Sequence, residues 1–178
     1  MYNIIVQCIG YCGVACFITS YLQKKRGNII LFSFIARIFF VTHYILLGGF
    51  SGAAQNAVGG IASAVSGKRD KKPFDSKLTP VLIVLLTVAV GILTYDKEKG
   101  IVCLLPVLAM VLQNIALWLR KGTLIRVFTL SGIPLWFVYN FISGSIPAMM
   151  SDTLSATSLV IAILRYDIIP AVRAAKNK

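Results

Sequence analysis

Acidic residues are nearly missing from this chain: six Asp and Glu stand against 18 Lys and Arg, and His43 is the one histidine. So few carboxylates and imidazoles exclude most ways of building catalytic or metal chemistry. No paired aspartates, HExxH or Ser with His arrangement is present, and neither a Walker motif nor a Gly-rich nucleotide loop occurs. Enzymatic activity, direct ATP coupling, a resident metal and a cofactor are therefore not expected. Charge of both signs is scarce at 13% of residues, and the apolar runs carry almost none of the +12 net charge. Basic residues confined to the ends of apolar runs mark a membrane protein, not a nucleic-acid footprint. Of the four cysteines, Cys8, Cys12 and Cys16 share one helix face and Cys103 stands alone. Without His or carboxylate beside them they read as apolar packing residues, with metal or redox use as the alternative. No short apolar run with a basic start and a small-residue cleavage site opens the chain, so Met1 to Leu22 is expected to remain as a first spanning helix.

What is abundant is apolar surface. Hydrophobic residues make up 57% of the chain and the mean hydropathy is +0.81. A soluble domain is excluded on that balance, and the lipid bilayer is the expected partner. With about 1.5 Å of rise per residue and about 30 Å of hydrocarbon to cross, the sequence predicts seven spans. They fall near 3–22, 29–47, 51–66, 80–94, 101–119, 123–142 and 148–164. KKRGN, GGFSG, KRDKKPFDSK, YDKEKG, RKG and SGSIP separate them, each combining charge with Gly or Pro or holding the small residues that end helices. The third and fourth spans are short for a bilayer.

Lys and Arg divide sharply between the two sides. The loops after spans one, three and five, with the tail, hold 15 basic residues from Lys24 to Lys178, against Lys97 and Lys99 opposite, with Arg37 inside a span. This asymmetry predicts an external N-terminus and a cytoplasmic C-terminus.

Sliding the chain by 95 residues pairs Gly27 with Gly122, Ile38 with Ile133, Tyr44 with Tyr139, Gly49 with Gly144 and Ala53 with Ala148. Spans one to three (3–66) and five to seven (101–164) then read as copies, with the fourth (80–94) as a linker. The predicted fold is thus an all-α membrane protein forming one transmembrane domain over 1–178. Its seven transmembrane helices form two parallel three-helix bundles joined by a linker helix, a 3+1+3 layout.

The run HYILLGG followed by Gly52, Ala53 and Asn56, LLP at 104–106, KG at 121–122 with Arg126, and WFVYNFISGSI at 136–146 together resemble the YgjV-type bacterial inner-membrane proteins. That family is similar in layout to the PQ-loop group, which includes the SWEET sugar transporters and the PnuC vitamin transporters. The resemblance implies a bacterial inner (plasma) membrane location and a solute-transport fold, without naming a substrate. The chain departs from that group in having no Pro-Gln pair, and Tyr11 and Phe39 stand where the second copy has Pro106 and Pro134. Gly10 and Gly13 are the alternative source of flexibility in the first bundle. In the SWEET relatives an asparagine on each third helix faces the solute. By resemblance, Asn56 and the pair Ser151 and Asp152 occupy the corresponding wall, Ser151 being the counterpart of Asn56 at the 95-residue offset.

A strongly polar or ionised side chain at membrane depth costs on the order of 2.5–3.5 kcal/mol, so each must face protein or water. The candidates for solute binding are Arg37, His43, Asn56, Trp136, Asn140, Ser151 and Asp152, most of them in the outer half. Gln55 and Asn114 read equally well as interhelical glue. His43 is either a proton relay or a structural hydrogen-bonding group. Trp136 and Tyr139 are either an interfacial aromatic belt or a platform for a ring-bearing solute. Arg37 and Asp152 are expected to share one cavity with His43, Asn56 and Asn140, as an ion pair or with Arg37 reading an anionic group of the solute. The leading functional expectation is a small-solute transporter or facilitator working by alternating access. The alternative is a non-transporting receptor or assembly factor that binds a peptide or lipid headgroup.

Overall fold

A computed structural model describes residues 2–21, 26–68, 72, 74, 76–119 and 121–176. Among the described residues all regular structure is helical: α1 is Tyr2–Tyr21, α2 Arg26–Leu46, α3 Phe50–Ser66 and α4 Leu78–Leu93. A 3₁₀ turn, Gly100–Cys103, leads into α5, Leu104–Trp118, followed by α6, Gly122–Ile142, and α7, Ile146–Ile163. A π turn, Leu164–Ile168, carries α7 directly into α8, Ile169–Lys176. Every expected span has its helix. The last runs past the expected end at residue 164 because the chain does not break at Pro170. A proline cannot donate to the carbonyl four residues back, and the wider π turn just before it gives the ring room.

The stretches Gly100–Trp118, Gly122–Ile142 and Ile146–Arg173 are long and apolar enough to cross a bilayer, while Asn3–Thr19, Leu31–Leu46 and Leu78–Leu93 are shorter apolar helices. α3 belongs to neither group. Its small and polar residues are tolerated because it is an interior helix, with Ser51, Gly52, Ala53, Gln55, Asn56, Val58, Gly59, Gly60 and Ala62 all buried.

Both α2 and α6 end in the same way. The amide of Gly49 bonds the carbonyl of Tyr44 (2.8 Å) and that of Gly48 bonds Ile45 (3.0 Å), while Ser145 bonds Asn140 (2.9 Å) and Gly144 bonds Phe141 (3.2 Å). This paired pattern requires a left-handed residue just after the helix, where glycine has no Cβ penalty. Gly48 and Gly144 supply it with φ of 70° and 69°. The helix starts at 26 and 122, the ends at 46 and 142, and the next starts at 50 and 146 are all 96 residues apart. The structural register is therefore 96, not the 95 of the ungapped identities. It sets Asn56 opposite Asp152 instead of Ser151, and Gly10 opposite Pro106.

Neighbouring helices pack in a recurring order: α1 on α2, α2 on α3, α5 on α6, and α6 on α7. Two further contacts cross between these sets, α1 on α7 and α3 on α5, while α4 lies against both α3 and α5. The core where the sets meet includes Val14, Phe40, Tyr44, Ala53, Met110, Trp136 and Tyr139. The cysteines do not form an interior stripe: Cys8 and Cys12 are exposed and Cys16 is half-buried, all with free thiols. Their face of α1 points away from the core, so interior packing does not explain them.

Candidate functional site

The same spacing on two helices builds the centre of the molecule. Phe40, His43 and Tyr44 on α2, and Trp136, Tyr139 and Asn140 on α6, stand at i, i+3 and i+4, so each trio shares one helix face. The two faces meet. Tyr44 stacks on Trp136 with centroids 6.2 Å apart and lies 5.9 Å from Tyr139, which meets Trp136 edge-on at 6.0 Å. Trp136 is 6% exposed, which removes it from any lipid-facing aromatic belt.

Polar groups thread this apolar contact. The hydroxyl of Tyr44 donates to Asn140 Oδ1 at 2.5 Å, and Asn140 Nδ2 donates to Asp152 Oδ2 at 2.6 Å. A carboxylate can only accept, so it fixes the orientation of the Asn140 amide, which in turn fixes the direction of the Tyr44 hydroxyl. His43 is fully buried and uses both ring nitrogens: Nδ1 lies 2.8 Å from the carbonyl of Val6, and Nε2 lies 2.7 Å from Ser145 Oγ. Since a carbonyl only accepts, Nδ1 carries the hydrogen, and the Ser145 hydroxyl donates to Nε2 of the neutral ring. His43 thereby ties α1, α2 and the turn before α7 together. The amide of Gly52 donates to the Tyr139 hydroxyl at 3.0 Å, joining α3 to α6.

Two of the residues expected to share one cavity, Asn56 and Arg37, have their own contacts. Asn56 donates to the carbonyl of Gly52 in its own helix, at 3.1 Å. Arg37 is half-buried and lies along α3: its guanidinium fills the space a Cβ at Gly59 would need, its Cδ passes 3.4 Å from the corresponding point at Gly60, and Cζ is 6.0 Å from the Phe17 ring centroid. Among the described residues no ion pair joins Arg37 to Asp152, so of the two alternatives the direct pair is not formed in this conformation. The Arg37 side chain is instead directed to the glycine pair of α3, where the missing Cβ atoms leave room for it. Ser151 is half-buried beside Asp152 on α7. The structure thus brings Trp136, Asn140 and Asp152 into one cluster with Tyr44 and Tyr139, while His43 joins it through ring packing on Tyr44 at 5.7 Å.

A second polar cluster holds α4. Thr87 donates to the carbonyl of Ile83 at 2.7 Å and receives Asn114 Nδ2 on its hydroxyl at 2.8 Å, while its own carbonyl receives Gln55 Nε2 at 3.1 Å. Gln55, Thr87 and Asn114 are at most 1% exposed. Sequence reasoning overlooked Thr87 and Ser145, whose small hydroxyls carry no hydropathy signal, and gave Tyr44 no role beyond a repeat match.

At the end of the molecule where α1 begins, a groove of about 520 Å³ is lined by Asn3, Gln7, Tyr11, Leu47 and Gly144, among others. Gln7 Nε2 crosses it to the Gly144 carbonyl at 2.9 Å. Lys99, in the connection between α4 and α5, donates to the Gly48 carbonyl, so each glycine turn is held by a side chain from outside its own three helices.

No curated protein and no solved structure matches the chain. A family profile matches residues 4–168, most of the sequence, and the chain belongs to that family, Imp-YgjV, described as a bacterial inner membrane protein.

Proposed function

We propose that this inner-membrane protein is a small-solute transporter in which two three-helix bundles, α1–α3 and α5–α7, rock about the cluster between them, with α4 as the linker of a 3+1+3 layout. The observation that carries the reading is the crosswise packing of α1 on α7 and α3 on α5, superimposed on the repeated order within each set. Two like bundles meeting across an interface is the arrangement that alternating access exploits. The equivalent glycine turns and the 96-residue register support it, as does the likeness of layout to the PQ-loop group. Polar groups at that interface, Asn140 and Asp152 foremost, offer hydrogen-bonding partners to a solute. The groups gathered there are suited to binding and release, and the chain is read as a non-enzyme with the N-terminus outside and the C-terminus in the cytoplasm.

Counterflow in proteoliposomes loaded in turn with sugars, nucleosides, vitamins and amino acids tests this. Exchange of labelled solute is the expected result. Saturable binding of a solute with no exchange would replace transport with the receptor reading.

A further inference from the structure

Asp152 stands in an electrostatic position that the hydrogen-bond network does not relieve. It lies on α7 within an apolar helical stretch, half-buried, and Asn140 Nδ2 is the partner of its Oδ2 at 2.6 Å. Asn140 is neutral. Behind it stands Tyr44, also neutral, whose hydrogen is already given to Asn140 Oδ1. Among the described residues no Lys, Arg or His nitrogen lies within 4.0 Å of the carboxylate. Of the cationic and titratable groups on the elements packed around it, His43 is committed to Val6 and Ser145. Tyr139 is committed to Gly52, and Arg37 lies along Gly59 and Gly60. Asp167, further along the same continuous helix, shows the contrast: Arg126 grips both its oxygens at 2.9 and 2.8 Å, and Thr123 adds a third bond at 2.6 Å.

A carboxylate at membrane depth is costly unless it is matched by positive charge. Here the protein orients one oxygen with a neutral donor and brings no matching charge to the other. We infer that Asp152 is a cation subsite, at which a single positive charge brought from solution, either an alkali ion accompanying the solute or an ammonium group of the solute itself, binds at Oδ1. This rests on the transporter reading, since the cation must enter and leave with each turnover.

The test uses the full chain in lipid nanodiscs, with bulky N-methylglucamine as the background cation at about pH 8, above the ordinary carboxylate range. Sodium chloride, potassium chloride and methylammonium chloride are then titrated separately at constant ionic strength, and Tm is followed because binding to the folded form raises it. A saturable upward shift with one of the three is expected, abolished in Asp152→Asn and retained in Asp167→Asn. Asp152→Asn keeps an oxygen to accept from Asn140 and removes only the charge. A shift with sodium or potassium assigns an accompanying ion, and one with methylammonium assigns the solute's own charge. No shift with any of them, an equal shift in Asp152→Asn, or a Tm that responds only to pH, which would mean that a proton neutralises the group, overturns the inference. Failure of counterflow with the shift intact would sink transport alone and leave the cation site standing.

Discussion

Tyr44 shows how a residue with no charge and no motif can govern a site. Its ring is 2% exposed and packs on Trp136, while its hydroxyl sets the orientation of Asn140 and through it of Asp152. Tyr44→Phe keeps the ring and strands Asn140 Oδ1, a loss of about 1–3 kcal/mol. Thermal unfolding of the purified variant should show a clearly lowered Tm, and an unchanged Tm would mean that the hydroxyl is dispensable. Two glycines separate steric from backbone causes. A Cβ at Gly52 would lie 2.6 Å from Tyr139 Cε1, whereas at Gly144 nothing stands within 4 Å and the obstacle is its φ of 69°. Gly52→Ala should cost about 1–3 kcal/mol through overpacking. Gly144→Ala should cost about 1–2 kcal/mol through the left-handed conformation. Unfolding in a Tyr139→Leu background should recover part of the first loss and none of the second. Asn140 and Asp152 stand out in the sequence because polar residues are rare there. Their partner Tyr44 does not, since an aromatic ring fits an apolar run.

At the scale of elements, α4 changes most between sequence and structure. Its composition, uniformly apolar apart from Thr79 and Thr87, reads as a connector that lets two copies run in one direction. The structure makes it a packing partner of α3 and α5, held by Gln55 and Asn114 on the two sides of Thr87. Thr87→Val preserves shape and leaves Asn114 Nδ2 without its acceptor, and should destabilise by about 1–3 kcal/mol. Thr87→Ser should be close to neutral in the same unfolding measurement, and equal losses in both would assign the effect to packing. Gln55 and Asn114 each donate an amide hydrogen to α4, which ties α3 and α5 to that helix. Helix ends were readable because glycine in a left-handed turn has a composition signature, while the passage from α7 into α8 was not, because a π turn absorbing Pro170 leaves no pattern of hydrophobic spacing.

For the whole molecule, the division of 15 basic residues against two predicts orientation. A fluorescent protein fused to the C-terminus should glow and a periplasmic phosphatase fused there should be silent. The reverse pattern would mean either the opposite orientation or an even number of crossings. The proposed rocking of two bundles has its own structural consequence. The contacts Gln7 to Gly144 and Lys99 to Gly48 tie one glycine turn to α1 and the other to the connection that leads into α5. Cysteines introduced at Gln7 and Ser143, beside the Gly144 turn, should arrest counterflow when crosslinked and restore it on reduction. Undiminished exchange in the crosslinked protein would exclude movement at that contact.

The sequence by itself determined the apolar class, the approximate limits of the first seven helices and the membrane setting, because these follow from composition and from local rules of hydropathy, charge and helix termination. The partners of each polar side chain were decided only by the tertiary structure. A shift of one residue in register, from 95 to 96, turns a helix face by about 100°. That shift places Asp152, not Ser151, opposite Asn56. Which face of α2 meets which face of α6 depends on ring packing and on where glycines allow close approach, and these are properties of two surfaces brought together, absent from either strand of sequence alone.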